Sequence, residues 1–191
     1  MTAQRMNATR SVDVSSTQLA VFLTEFGWFG LLGRIQSGIS IVMGLTIGHA
    51  SAQKVRDAMR RRAADEFDES DWYPELRQRL QHYTAGEESD FADVEVELPK
   101  MTMFQQRVVQ STRRIGYGET INYAELAGKA GFPRAARAVG NVMASNRVPI
   151  IIPCHRVVAA GGRLGGFTAP QGVTLKQQML EMEATCRFAP I

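Results

Sequence analysis

The chain is poor in thiols and imidazoles: its 191 residues include 2 cysteines and 3 histidines. Two cysteines make no disulfide framework, and one bridge would consume both, so the chain reads as a reduced, intracellular protein. A run of about 18 apolar residues is also missing, which excludes a membrane-spanning helix. The opening MTAQRMNATRSVDVSSTQ lacks the apolar centre of a secretory signal. Its Arg and Ser fit a transit peptide weakly, and residues 1–17 read better as a disordered tail. Acids are scarce in one half only. Residues 101–191 contain 4 Asp and Glu against 11 Lys and Arg, a net +7, whereas residues 1–100 contain 15 against 11, a net −4. Two units of opposite character are implied, and the basic one suits a polyanion such as nucleic acid.

What is present sorts into an α+β chain of two domains, 18–98 and 99–186. Short apolar and β-branched runs between Gln18 and Gly48, broken by Gly27, Gly33, Gly38 and Gly44, predict a three-stranded meander. SAQKVRDAMRRRAADEF predicts a helix with Val55, Ala58 and Met59 inward. YPELRQRLQHYTAG predicts another, with Leu76, Leu80 and Tyr83 inward and Gly86 as its stop. A short alternating strand is expected in EESDFADVEVELP. His49 and His82 stand alone, without the neighbouring cysteines a structural zinc site requires. In the basic half, Phe104, Val108, Thr112 and Ile115 mark a helix that Gly116 ends. Asn122 and Glu125 have capping-box spacing, so a helix starts at Tyr123 and is broken by Gly128 and Gly131. Pro133 suits the first turn of the next helix. Two short helices across a glycine turn form a helix-turn-helix pattern. On the second, Arg134, Arg137 and Asn141 recur at i, i+3 and i+7 among Ala, Gly and Val, a basic stripe on a slim helix fit to lie against DNA.

The reactive candidate lies in VPIIIPCHRVV. Ile150, Ile151 and Ile152 are expected as a buried strand bounded by Pro149 and Pro153. Apolar burial alone would raise the Cys154 thiol pKa and silence it, so a base or a positive field is needed. His155 can serve as that base, but neighbours on an extended strand face opposite ways; the pair can meet only in a turn or through water. Too few further ligands are available for zinc. A nucleophilic cysteine with a histidine base needs an acid on the other imidazole nitrogen. TLKQQMLEMEAT predicts a helix with Leu175, Met179 and Met182 inward, which puts Glu183 near the inward edge and Glu181 toward solvent. AAGGRLGGFTAPQG lacks a phosphate loop's Gly-Lys-Ser/Thr ending and reads as a pocket wall.

IPCHRVV closely resembles the signature of the O6-alkylguanine-DNA alkyltransferases. The likeness extends through GETINYAELAGKAGFPRAARAVGNVMASNRVPIIIPCHRVV and on to LGGF and LKQQMLEME, about half the chain. The resemblance implies a ribonuclease-H-like first domain and a mostly helical second domain of helix-turn-helix and winged-helix-like architecture. It implies that Cys154 takes an alkyl group irreversibly from O6 of guanine, with O4 of thymine as a second position, from a base flipped out through the minor groove. His155 would act through water with Glu183 polarising it. Tyr123 would donate to the guanine, Arg137 would fill the gap in the duplex, and Asn146 would join recognition helix to active-site segment. Val157, Phe167 and Thr168 would line the substrate pocket, with Arg134 and Asn141 on DNA. The implied partner is double-stranded DNA carrying O6-alkylguanine, bound by a monomer with no metal and no cofactor. Its place would be the cytoplasm at the nucleoid in a bacterium, or the nucleus in a eukaryote.

One departure stands out: after Phe167 the family has a small Ser-Gly-Gly-type turn, where this chain has TAPQG, two residues longer. Other classes fit less well. A module that flags alkylated DNA without repairing it lacks the reactive cysteine. A helix-turn-helix regulator leaves Cys154, His155 and Glu183 unexplained. A cysteine hydrolase would need an oxyanion hole that the sequence does not display.

Overall fold

A computed structural model describes residues 16–63 and 66–186. The expected tail falls outside these residues except for its last two, of which Thr17 already opens the first strand. Strands β1 (Thr17–Thr24), β2 (Gly27–Gln36) and β3 (Ile39–His49) form the expected antiparallel meander. The β2–β3 turn is the two-residue loop Ser37-Gly38, both at positive φ (52° and 79°), which matches the twist of the flanking strands. A short strand not foreseen, β4 (Phe67–Glu69), runs parallel to β1 and completes the order β3-β2-β1-β4.

Helices cover both sheet faces. Helix α1 (Ala52–Arg60), capped by Ser51, buries Val55, Ala58 and Met59. A Cβ on Gly30 would stand 2.3 Å from Val55 Cγ1, so the sheet accepts α1 this closely only because residue 30 is glycine. Helix α2 (Pro74–Thr84) buries Leu76, Leu80 and Tyr83, as its spacing predicts, against Phe22, Phe29, Leu31 and Leu45. The strand expected in 87–98 reduces to a single bridge, Val96 to Val42.

In the second half, α3 (Met103–Arg113) starts at a complete capping box, Thr102 with Gln105, and ends three residues before the expected Gly116. Strand β5 (Ile121–Asn122) runs directly into α4 (Tyr123–Lys129), whose Asn122–Glu125 box is present as read. Gly128 lies inside α4; Gly131, at φ 86°, ends it, and Phe132 N–H donates back to the Ala127 carbonyl in a Schellman closure. Helix α5 spans Ala136–Ala144. Pro133 therefore belongs to the exit of α4, and Arg134, at φ 76°, lies outside α5. The predicted three-residue helical stripe is corrected accordingly: Arg137 and Asn141 are exposed on α5, and Arg134 is exposed in the connecting turn.

The isoleucine run is not a strand. Ile150, at φ 73°, holds a conformation that β-branched residues rarely adopt, and Ile152 N–H closes on the Val148 carbonyl at 2.9 Å. Next comes a one-turn 3-10 helix, Cys154–Arg156, then β6 (Val157–Val158), parallel to β5, and α6 (Gly172–Cys186). Cys186 is the last residue of α6. Ile150, Ile151, Ile152, Leu175 and Met179 all pack into the core beneath the first-half sheet. The two halves thus share a core across the reactive segment.

Candidate active site

The turn that carries Cys154 is held by Asn146. Its side chain accepts from Val148 N–H (3.0 Å) and donates to the Ile152 carbonyl (2.8 Å) and to Cys154 Sγ (3.1 Å). Pro153, at φ −77° and ψ 63°, is the centre of an inverse γ-turn closed by Cys154 N–H to the Ile152 carbonyl at 2.7 Å. Proline suits that place because its ring fixes φ there. Cys154 therefore leaves the turn on a rigid base, buried, with one donor already aimed at its sulfur. Burial pushes the thiol up; the Asn146 hydrogen bond and the Lys176 ammonium act against it.

Lys176 was not foreseen. It is fully buried, donates to the Val157 carbonyl at 2.6 Å, and is itself lowered by burial while Cys154 favours its charge. Lys176, Met179 and Glu183 recur at i, i+3 and i+7 on α6, so the helical period already placed this lysine on the inward face.

His155 and Glu183 are both inaccessible to solvent, and Nε2 meets Glu183 Oε1 at 2.9 Å. Burial raises the Glu183 carboxyl, but hydrogen bonds and charge from His155 and Arg156 outweigh it and hold the pKa at about 2. An ionised Glu183 can only accept, so Nε2 carries the imidazole proton and Nδ1 keeps its lone pair. Nδ1 is buried and has no partner among the protein groups described. Burial also lowers His155, which keeps the ring neutral and able to take a proton.

Glu183 is supported by further donors. Arg156 gives Nε to Oε2 (3.0 Å) and Nη2 to Oε1 (2.9 Å), and Gly118 N–H adds a bond at 3.1 Å. Tyr83, from α2 in the first half, donates to Oε1 at 2.7 Å and lies 3.2 Å from His155 Nε2. The helical spacing of α2 marks Tyr83 only as a core residue. No local signal marks such a contact, since the two residues are 100 positions apart.

Tyr123 reaches the site because β5 pairs with β6, Ile121 beside Val157 and Asn122 beside Val158. Its ring lies against Gly165, where a Cβ would stand 2.5 Å from the hydroxyl. Burial and the nearby Cys154 raise the phenol, so it stays protonated and can donate. The Val157 carbonyl already accepts from Lys176, leaving one lone pair for a ligand. Phe167 and Thr168 line, with Cys154 and Asn146, a cavity of about 30 Å³. The structure thus brings Cys154, His155, Glu183, Asn146, Tyr123, Val157 and Phe167 together, with Thr168 at the rim. Arg137, Arg134 and Asn141 lie outside, on the surface of the helix pair.

Among the described residues, no three His, Cys, Asp or Glu side chains are grouped to hold a metal ion, and no helix is long and apolar enough to cross a membrane. Fold and site together define a protein that sets a helix-turn-helix surface beside a buried cysteine next in sequence to a buried His–Glu pair.

Comparisons narrow that class. The DNA-binding domain of 6-O-methylguanine DNA methyltransferase matches residues 103–185. A methylated-DNA–protein-cysteine methyltransferase of Kluyveromyces lactis is 31% identical over 169 residues, 88% of this chain and 86% of that protein. A Mycobacterium tuberculosis relative of the same name is 47% identical, but over 61% of its own length. The solved O6-methylguanine methyltransferase of M. tuberculosis superposes with a TM-score of 0.72 at 33% identity, covering 91% of this chain and 95% of that one. The M. tuberculosis OGT in complex with DNA gives 0.71 at 31% identity, over 88% and 94%. The chain belongs to the family of methylated-DNA–protein-cysteine methyltransferases.

Proposed function

We propose that the protein repairs DNA by direct reversal, moving the alkyl group of O6-alkylguanine onto Cys154 in one irreversible step. The observation that carries this reading is the buried Glu183–His155 pair beside Cys154, with Asn146 donating to the sulfur. The thiol proton passes through a water to His155 Nδ1. The thiolate then attacks the alkyl carbon, so an S–C bond forms as the O6–C bond breaks. The electron pair stays on guanine, which is protonated from Tyr123, and Tyr123 regains its proton from solvent. Lys176 favours the thiolate through its charge. The step consumes the thiol and calls for no metal or cofactor. O4-alkylthymine offers the same bond and serves as a second substrate.

Double-stranded DNA is the partner, bound by a monomer through α4 and α5. Arg137 stands in the gap left by the flipped nucleotide, Arg134 and Asn141 contact the backbone, and the small residues of α5 let it enter the minor groove. A ribonuclease-H-like first domain, 18–98, is supported by the strand order β3-β2-β1-β4. A winged-helix-like second domain, 99–186, is supported by the β5–β6 pair beside the helix-turn-helix. The place of action is the nucleoid in a bacterium or the nucleus in a eukaryote.

Incubation with duplex DNA containing O6-methylguanine, followed by intact-protein mass measurement, tests the reading. The mass should rise by one methyl group, located at Cys154, and then stop changing. Protein that binds the lesion yet stays unmodified would favour a flagging module. A second expectation concerns Arg137. Arg137→Ala should slow repair of duplex DNA about ten- to a hundredfold, the value of about 1.4 to 2.7 kcal/mol of unstacking, while reaction with free O6-methylguanine base barely changes. Equal losses in the two assays would remove Arg137 from base flipping.

A further inference from the structure

The loop after Phe167 is anchored at both ends. Thr168 Oγ1 donates to the Ala144 carbonyl at the end of α5 (3.2 Å). The chain then turns through Pro170, with Gly172 N–H on the Ala169 carbonyl at 2.8 Å. At the crest, the Gln171 amide donates to two carbonyls of the first half: Phe26, in the β1–β2 turn, at 3.1 Å, and Gly48, in β3, at 3.0 Å. Gly48 sits at φ 75°, and a Cβ there would stand 2.7 Å from Leu175 Cδ2 and 3.1 Å from Gln171 Nε2. Only glycine lets α6 and the loop approach the sheet this closely.

The anchored loop is one wall of the cavity beside Cys154. Phe167, Thr168 and Ala169 supply that wall, and Leu45, Thr46 and Ile47 of β3 supply the facing one. Gln171 ties these walls together, since its acceptor Gly48 ends the same stretch of β3. Cys154 lines this cavity and Tyr123 does not, so the cavity is the space open to a substituent brought to the sulfur by a guanine bonded to Tyr123. At about 30 Å³ the space between the walls suits one or two groups the size of water or methyl.

We propose that Gln171 is a specificity-determining latch. By tying the loop after Phe167 to the first-half sheet it fixes the width of the alkyl pocket and restricts transfer to short alkyl groups. This rests on the reading of Cys154 as the alkyl acceptor. It also gives the acidic half a part in selecting the lesion.

The test compares single-turnover transfer from duplex DNA containing O6-methylguanine or O6-benzylguanine, for the wild type, Gln171→Ala and Gln171→Glu. The second variant keeps the side-chain shape but turns a donor into a carboxylate facing two carbonyl oxygens. Both should raise the benzyl-to-methyl rate ratio at least about tenfold, the scale of pocket discrimination by size, with the methyl rate within about twofold of wild type. An unchanged ratio in both variants overturns the latch, and so does a parallel fall in both rates. If the wild type transfers no methyl group, the assignment of Cys154 falls, and the latch with it.

Discussion

Cys154→Ala should abolish alkyl transfer, with a loss on the order of 10⁴-fold or more, while leaving affinity for duplex DNA nearly unchanged. The loss is this large because no other described group can take the place of the sulfur: Asn146, Lys176 and Tyr123 all face it as donors or cations. Binding should survive because Arg137 and Asn141 lie on the exposed face of α5, apart from the buried thiol. The turn should survive too. Asn146 keeps its bonds to the Ile152 carbonyl and Val148 N–H when Sγ is gone, and removing one buried atom costs about 1 kcal/mol. Mass measurement after incubation with O6-methylguanine duplex, beside a gel-shift titration, reads both effects. A methyl group found on the Cys154→Ala protein would identify a different acceptor.

The parts of this site that were legible in the sequence are those carried by local rules. The Asn122–Glu125 box placed the start of α4 and hence Tyr123, and the helical period of α6 placed Glu183 inward; both arrangements are present. The isoleucine run was misread because a buried strand and a buried turn share the same apolar pattern, and what separates them is the Asn146 side chain eight residues before Cys154. Pro133 was assigned to the helix it precedes, whereas the closure at Gly131 makes it part of the exit from α4. Tyr83 and Gln171 were illegible for another reason. Each acts across the boundary between halves, on partners 100 and 123 residues away, and no periodicity reports such a contact. Lys176 was legible and missed, since the period that placed Glu183 places it as well.

Glu183→Gln should have the next largest effect, and on two quantities at once. The carboxylate accepts from His155, Tyr83, Arg156 and Gly118, and the amide would turn one of these acceptors into a donor facing donors. It would also leave the Arg156 guanidinium buried without a counter-charge, which costs about 3–5 kcal/mol, or roughly 6–20 °C in Tm for a chain of this size. The rate of transfer should fall about 10²–10⁴-fold, because Nε2–H is no longer held by an anion and the Nδ1 lone pair no longer has a fixed direction. Acid titration separates the two contributions. With its folded pKa at about 2 against a reference value of 4.5, Glu183 supplies on the order of 3 kcal/mol, fully present above pH 4.5 and lost as pH falls toward 2. His155, lowered by burial, adds a loss in the same direction that begins below its reference value of 6.5. Thermal unfolding of wild type should therefore decline from pH 6.5 downward and most steeply below 4.5, whereas Glu183→Gln should start lower and lose the steep part. Glu181→Gln, two residues away and exposed, should behave as wild type. Parallel acid profiles for wild type and Glu183→Gln would mean that Glu183 is not the group holding the relay in its charged state.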